Sequence, residues 1–98
     1  MPKSLRIKMV AGARPSRVLV IPDTGATIGR GEQAEIRLEE PTLSRQHCCI
    51  YRHRKDWLVQ DLDSQNGTFV GNRRVTEPTR VNDGEPVRFG DAQFTFRG

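Results

Sequence analysis

Apolar and polar residues alternate with a period of two along much of this chain, and no segment sustains an apolar pattern of helical period. Leu5, Ile7 and Met9 alternate with Arg6 and Lys8, and Ile36 and Leu38 alternate with Glu35, Arg37 and Glu39. Shorter runs follow: Arg17–Ile21, Cys48–Tyr51, Trp57–Val59, Thr68–Val70, Pro86–Phe89 and Gln93–Phe96. Between them stand segments of turn chemistry: Pro22-Asp23-Thr24-Gly25, Arg54-Lys55-Asp56, Asp63–Gly67, Gly71-Asn72, Asn82-Asp83-Gly84 and Gly90-Asp91. Many short strands between frequent Gly, Asn and Asp turns define an all-β chain: a sandwich of two twisted, mainly antiparallel sheets.

The length, 98 residues, fits one domain spanning 1–98. A hydrophobic content of 35% supports only a modest core, so the patterning must be efficient. Sixteen basic residues against twelve acidic ones give a net charge of +4, spread as scattered arginines rather than one block. Such a balance suits phosphate-bearing partners without choosing between peptide and nucleic acid. Nothing is apolar enough for long enough to span a bilayer, and Met1–Arg6 leads into charged alternation rather than a secretory core, so no membrane partner is expected. Cys48 and Cys49 are adjacent, and neighbours on a strand point to opposite faces, so they read as reduced thiols of an intracellular protein.

Three loop segments carry candidate chemistry. Arg30 lies between Gly29 and Gly31 at a strand end, where a guanidinium can offer forked donors to phosphate oxygens. Ser44 sits in a polar connection, its hydroxyl able to donate to a phosphate or merely to satisfy its own turn, with Arg45 beside it to add charge. His47 opens the next strand, sharing a face with Cys49, Tyr51 and His53 by alternation, and is expected to pin the loop rather than shuttle protons. Asn66-Gly67 between two strand runs is a strong hairpin signal; its carboxamide can also hold a peptide main chain, and Thr68 can brace the loop.

In this order, Ile28-Gly29-Arg30, Leu43-Ser44-Arg45-Gln46-His47, Val59–Val70 and Asp83–Gly90 resemble the forkhead-associated (FHA) domain, over nearly the whole chain. The resemblance implies a non-enzymatic, cofactor-free adaptor whose apical loops bind phosphothreonine peptides made by Ser/Thr kinases. It implies that Arg30 and Ser44 contact the phosphate, that Arg45 assists, and that Asn66, with Gln65 beside it, holds the ligand main chain. Gly29, His47, Gly67 and Thr68 would shape the loops. Where the family usually has Asn-Gly after the strand matching Thr68–Val70, this chain has Gly71-Asn72.

Rival patterns are weaker. Gly29–Ala34 fits a relaxed dinucleotide fingerprint, but Glu35–Leu38 alternates like a strand where that motif needs a helix. Ser44, His47 and Asp61 lack a nucleophile elbow, and His47, Cys49 and His53 lack ordinary zinc spacing. No nucleic-acid partner is expected, because Trp57, Phe89, Phe94 and Phe96 read as strand core or edge residues rather than stacking surface. A scaffold of the same fold that ignores phosphorylation, and nucleic-acid binding through scattered Arg, stand as the alternatives.

Overall fold

A computed structural model describes residues 5–11 and 18–97. Among these residues there are eleven strands and no helix. Numbered in chain order, the six-stranded sheet runs β2 (Val18–Ile21), β1 (Leu5–Ala11), β11 (Ala92–Arg97), β10 (Pro86–Phe89), β7 (Thr68–Val70) and β8 (Arg73–Arg74). The five-stranded sheet runs β4 (Ile36–Arg37), β3 (Ala26–Gly29), β5 (Cys48–His53), β6 (Asp56–Asp61) and β9 (Thr79–Val81). Every pairing is antiparallel except β3 with β4. The predicted β-sandwich is therefore the observed fold. Arg17 and Met1–Ser4, named in the sequence reading, lie outside the described residues.

Alternation sets what the sandwich buries. Ile7, Leu19, Ile21, Val70, Val87, Phe89, Phe94 and Phe96 from one sheet meet Ala26, Ile28, Cys48, Ile50, Trp57, Val59 and Val81 from the other. Trp57, Phe89, Phe94 and Phe96, read from sequence as core or edge, are all buried, and Phe89 and Phe94 pack with ring centroids 5.1 Å apart. At about 1.5–3 kcal/mol per large apolar side chain, this layer is the main favourable contribution to folding.

Three expectations need correction. Asn66-Gly67 is not a hairpin tip: β6 and β7 belong to different sheets, so the segment carries the chain across the sandwich. The Asn-Gly pair reports only local conformation, and Gly67 does adopt a positive φ of 87°. The alternation through Ile36 and Leu38 yields only a two-residue strand, because β4 is an edge strand with β3 as its sole partner in the sheet. His47 precedes β5 instead of starting it, and its side chain is fully buried, so it does not share a face with exposed His53 and half-buried Cys49.

The order Gly71-Asn72 has a physical reason. Val70 pairs with Arg73, closing β7 and β8 around a two-residue turn in which Gly71 has φ 59° and Asn72 does not enter the positive region. Positive φ at the first central residue alone is the II′ arrangement, which places glycine first. The β5–β6 hairpin, with His53 paired to Asp56, has the same feature but puts Arg54 at φ 59°. A left-handed conformation costs an L-residue with a Cβ about 1–2 kcal/mol. Arg54→Gly should therefore stabilise the domain by about 0.5–1 kcal/mol after the added chain entropy, raising the melting temperature by roughly 2–8 °C. An unchanged or lower melting temperature in a thermal scan would contradict this.

Candidate functional site

The segment after β3 and the segment before β5 are zipped together by main-chain bonds. Arg30 N donates to Ser44 O (3.0 Å), Gly31 N to Arg45 O (3.0 Å) and His47 N to Ile28 O (2.8 Å). Their approach leaves no room for a side chain at position 29, where a Cβ would lie 2.1 Å from the Arg45 carbonyl oxygen. Glycine there is a packing requirement. The Arg30 side chain is exposed, yet its Nε donates to Leu43 O at 3.1 Å, and its own carbonyl accepts Arg37 Nε at 3.1 Å. One edge of the guanidinium is thus anchored.

The connection between β6 and β7 is joined to this pair through buried His47. Ser44 N donates to His47 Nδ1 (3.0 Å), which fixes Nδ1 as the acceptor. His47 Nε2 must then carry the proton and donate to Gly67 O at 2.8 Å. The ring is neutral, and burial holds its pKa below the ordinary imidazole value, against the raising influence of the Gly67 carbonyl and the Asp61 charge. His47 also lies 6.3 Å from the Phe89 ring, centroid to centroid, which couples the loops to the core. The ring thus bridges the main chains of the two segments at Ser44 and Gly67. Since both ring nitrogens are engaged with main chain, the imidazole has no free base to offer the Ser44 hydroxyl, and a Ser–His–Asp relay through Ser44, His47 and Asp61 does not form.

Ser44 does more than satisfy its own turn. Its Oγ accepts the main-chain N–H of Gln65 at 2.9 Å, across 21 residues of sequence. Accepting that bond orients the hydroxyl and leaves its proton as a donor. Asn66 Nδ2 donates to Thr42 O at 2.7 Å, leaving its second N–H and its Oδ1 for another partner, while Thr42 Oγ1 accepts Asp91 N at 2.8 Å.

Asp61 organises the crossing from beneath. It accepts Ser64 N at 3.0 Å, the Ser64 hydroxyl, and Thr68 Oγ1 at 2.7 Å; Ser64 Oγ in turn accepts Gly67 N at 3.1 Å. Burial acts to raise the Asp61 pKa, but the bonds from Ser64 and Thr68 prevail and hold it below the ordinary carboxylate value. Thr68 thus ties the start of β7 to Asp61 at the end of β6. Sequence reasoning missed Asp61 and Ser64 in this role. The signal was Asp-x-x-Ser ahead of the Asn-Gly pair, a side-chain cap on a main-chain turn. Burial also pushes the pKa of both Cys48 and Cys49 up, which favours the protonated thiol over the thiolate.

Burial divides the candidate residues in two. Arg30, Arg45, Gln65 and Asn66 are exposed and Ser44 is half-buried, whereas Gly29, His47, Gly67 and Thr68 are buried. Arg30 and Arg45, with Arg37, Glu32, Gln33, Gly31 and Gln46, line a depression of about 400 Å³. Ser44, Gln65 and Asn66 are not in its lining; hydrogen bonds, not a shared hollow, join them to the Arg30 segment.

The FHA domain family model matches residues 26–90, and this chain belongs to the FHA domain family. FhaB of Mycobacterium tuberculosis is 30% identical over 86 residues, covering 88% of this chain but 56% of FhaB, so the chain spans about half the length of that relative. A chain from a structural and functional analysis of phosphothreonine-dependent FHA domain interactions superimposes with a TM-score of 0.84 at 30% identity, covering 98% of this chain and 97% of that one. Mycobacterium tuberculosis EmbR, solved in complex with a low-affinity phosphopeptide, gives a TM-score of 0.84 at 26% identity, covering 96% of this chain and 24% of EmbR.

Removing the His47 ring unpairs Ser44 N and opens a cavity beside Phe89, so His47→Ala should lower stability by about 2–4 kcal/mol. Because folding depresses this imidazole's pKa, the unfolded chain binds the proton more readily. Its contribution is complete above 6.5 and declines as pH falls from there through the lowered folded value. Asp61 behaves likewise in a separate window below 3.8. Urea unfolding at about pH 7.5 and about pH 5 should show wild-type stability falling and a smaller fall in His47→Gln. Equal falls would contradict the burial of a neutral ring.

Proposed function

We propose that this domain is a non-catalytic adaptor that binds phosphothreonine-bearing protein segments, with Arg30 and Ser44 on the phosphate, Arg45 assisting, and Asn66 and Gln65 on the ligand main chain. The observation that carries this reading is the dual use of Ser44: its Oγ is held by Gln65 N while its hydrogen is left to donate, beside the anchored guanidinium of Arg30. A phosphothreonine brings about −1.5 to −2 charge and three acceptor oxygens. Each charge-assisted bond contributes roughly 1.5–3 kcal/mol, and micromolar affinity requires about 8 kcal/mol in total. Two or three such bonds plus the Asn66 clamp reach that range after ordering costs.

Family membership and the phosphopeptide-bound EmbR relative support the same reading. The whole of 1–98 is read as one FHA-like unit, and Ser/Thr kinases supply its ligand. An intracellular location follows from that partner; among the described residues no helix is long and apolar enough to cross a membrane.

Calorimetric titration with one peptide in phosphothreonine, phosphoserine and threonine forms tests the proposal. The phosphothreonine form should bind, the phosphoserine form more weakly, and the threonine form not measurably. Arg30→Ala should weaken binding roughly 30-fold or more. Equal binding of the threonine form would select the phosphorylation-independent scaffold, and retention on DNA or RNA with no peptide response would select the nucleic-acid reading.

A further inference from the structure

One partly exposed aromatic, Phe69, plays no part in the site described above. Phe69 is half-buried on β7 and lies in a row that crosses four strands: Arg74 on β8 pairs with Phe69, Phe69 with Arg88 on β10, and Arg88 with Gln93 on β11. The Arg88 guanidinium lies over the Phe69 ring, its Cζ 4.1 Å from the centroid, and Arg74 Cζ lies 5.9 Å from the same centroid. Arg88 Nη1 also donates to Gly90 O at 3.0 Å, so this guanidinium is held from two sides. Phe69, Arg88 and Gln93, with Gly71, Asn72 and Pro86, line a depression of about 310 Å³ that contains no carboxylate.

Two facts tie the row to the apical loops. A Cβ at Gly67 would lie 3.4 Å from Arg74 Cζ and 3.0 Å from Phe69 Cε1, so the row begins directly against the Asn66-Gly67 segment. With strands spaced about 4.8 Å apart, four strands cover about 14 Å, the reach of four extended peptide residues. Guanidinium groups stacked on an aromatic ring are partly ordered before binding and weakly hydrated, which suits them to carboxylates.

We infer that this Arg74–Phe69–Arg88 row on the outer face of the six-stranded sheet is a second subsite, which receives acidic side chains flanking the phosphothreonine of the same ligand. The inference rests on the proposed phosphopeptide reading. Its occupant is chosen by charge: two exposed cations beside a depression without a carboxylate, placed directly against the Asn66-Gly67 segment. Discrimination here comes from strand side chains rather than from loop tips.

The test uses three phosphothreonine peptides, identical except for an Asp block on the amino-terminal flank, an Asp block on the carboxy-terminal flank, or Ser at all those positions. For wild type, one Asp peptide should bind about three- to tenfold more tightly than the Ser peptide at low salt, the yield of two exposed ion pairs. That ratio should shrink as salt screens the pairs, drop to about two- to threefold in Arg74→Gln, where the Arg88 pair remains, and fall to about one in the Arg74→Gln, Arg88→Gln double variant. The readout is the Asp/Ser ratio, which a general loss of folding does not move because it weakens both peptides alike. A ratio of one for both Asp peptides in wild type overturns the subsite, as does a gain that persists undiminished in Arg74→Gln, which would place the acidic contact with Arg37 and Arg45. If the Ser peptide itself fails to bind, the phosphopeptide reading fails instead.

Discussion

A single uncharged imidazole holds the apical end of this sandwich together. His47 accepts from Ser44 N on one side and donates to Gly67 O on the other, so it specifies the separation of two loops that come from different parts of the chain. Burial keeps it neutral, and neutrality is what allows one ring to be acceptor and donor at once; a protonated ring would present two donors and repel the Ser44 N–H. The geometry of every exposed candidate residue follows from that clamp. Arg30 is bonded through its main chain to Ser44, Ser44 receives Gln65, and Asn66 reaches back to Thr42.

Beneath the clamp lies a division of labour. Asp61, Ser64 and Thr68 saturate one another with hydrogen bonds and fix the crossing between the sheets, while Gly29 permits the close approach of the Arg45 main chain. A half-satisfied polar network at this depth would be destabilising, and among the described residues every buried side-chain polar atom has a partner. The exposed layer then carries side chains that still have donors to offer. Arginine dominates it, as suits recognition of planar or tetrahedral anions by paired donors.

Period two made the longer strands legible from sequence, because each has one face against the core, whereas β8, exposed at both residues, and three-residue β9 went unread. The same pattern left Trp57, Phe89, Phe94 and Phe96 between core and edge, and packing of the two sheets puts all four inside. What alternation could not give was which sheet a strand joins: Asn66-Gly67 carries a hairpin's local chemistry but spans the sandwich, since sheet assignment depends on packing far away in sequence. Likewise, extrapolating strand alternation to His47 put it on the wrong face, because the strand begins one residue later. The candidate contacts were named through family resemblance, whereas the second bonds made by Ser44 and Asn66 join residues 21 and 24 apart and had no sequence signal. Phe69 escaped notice for the opposite reason. Its strand pattern is ordinary, and only the register that sets Arg74 and Arg88 on either side makes it distinctive.

The central claim is that these three loop segments, fixed by His47, form one phosphate-binding end. Amide chemical-shift mapping by NMR during titration with a phosphothreonine peptide addresses it most directly. The account predicts the largest shifts at Arg30, Ser44, Arg45, Gln65 and Asn66, with the Arg30 Nε–H signal moving too and the unphosphorylated peptide leaving all of them in place. Shifts confined to other surfaces, or the same shifts with the unphosphorylated peptide, would contradict it.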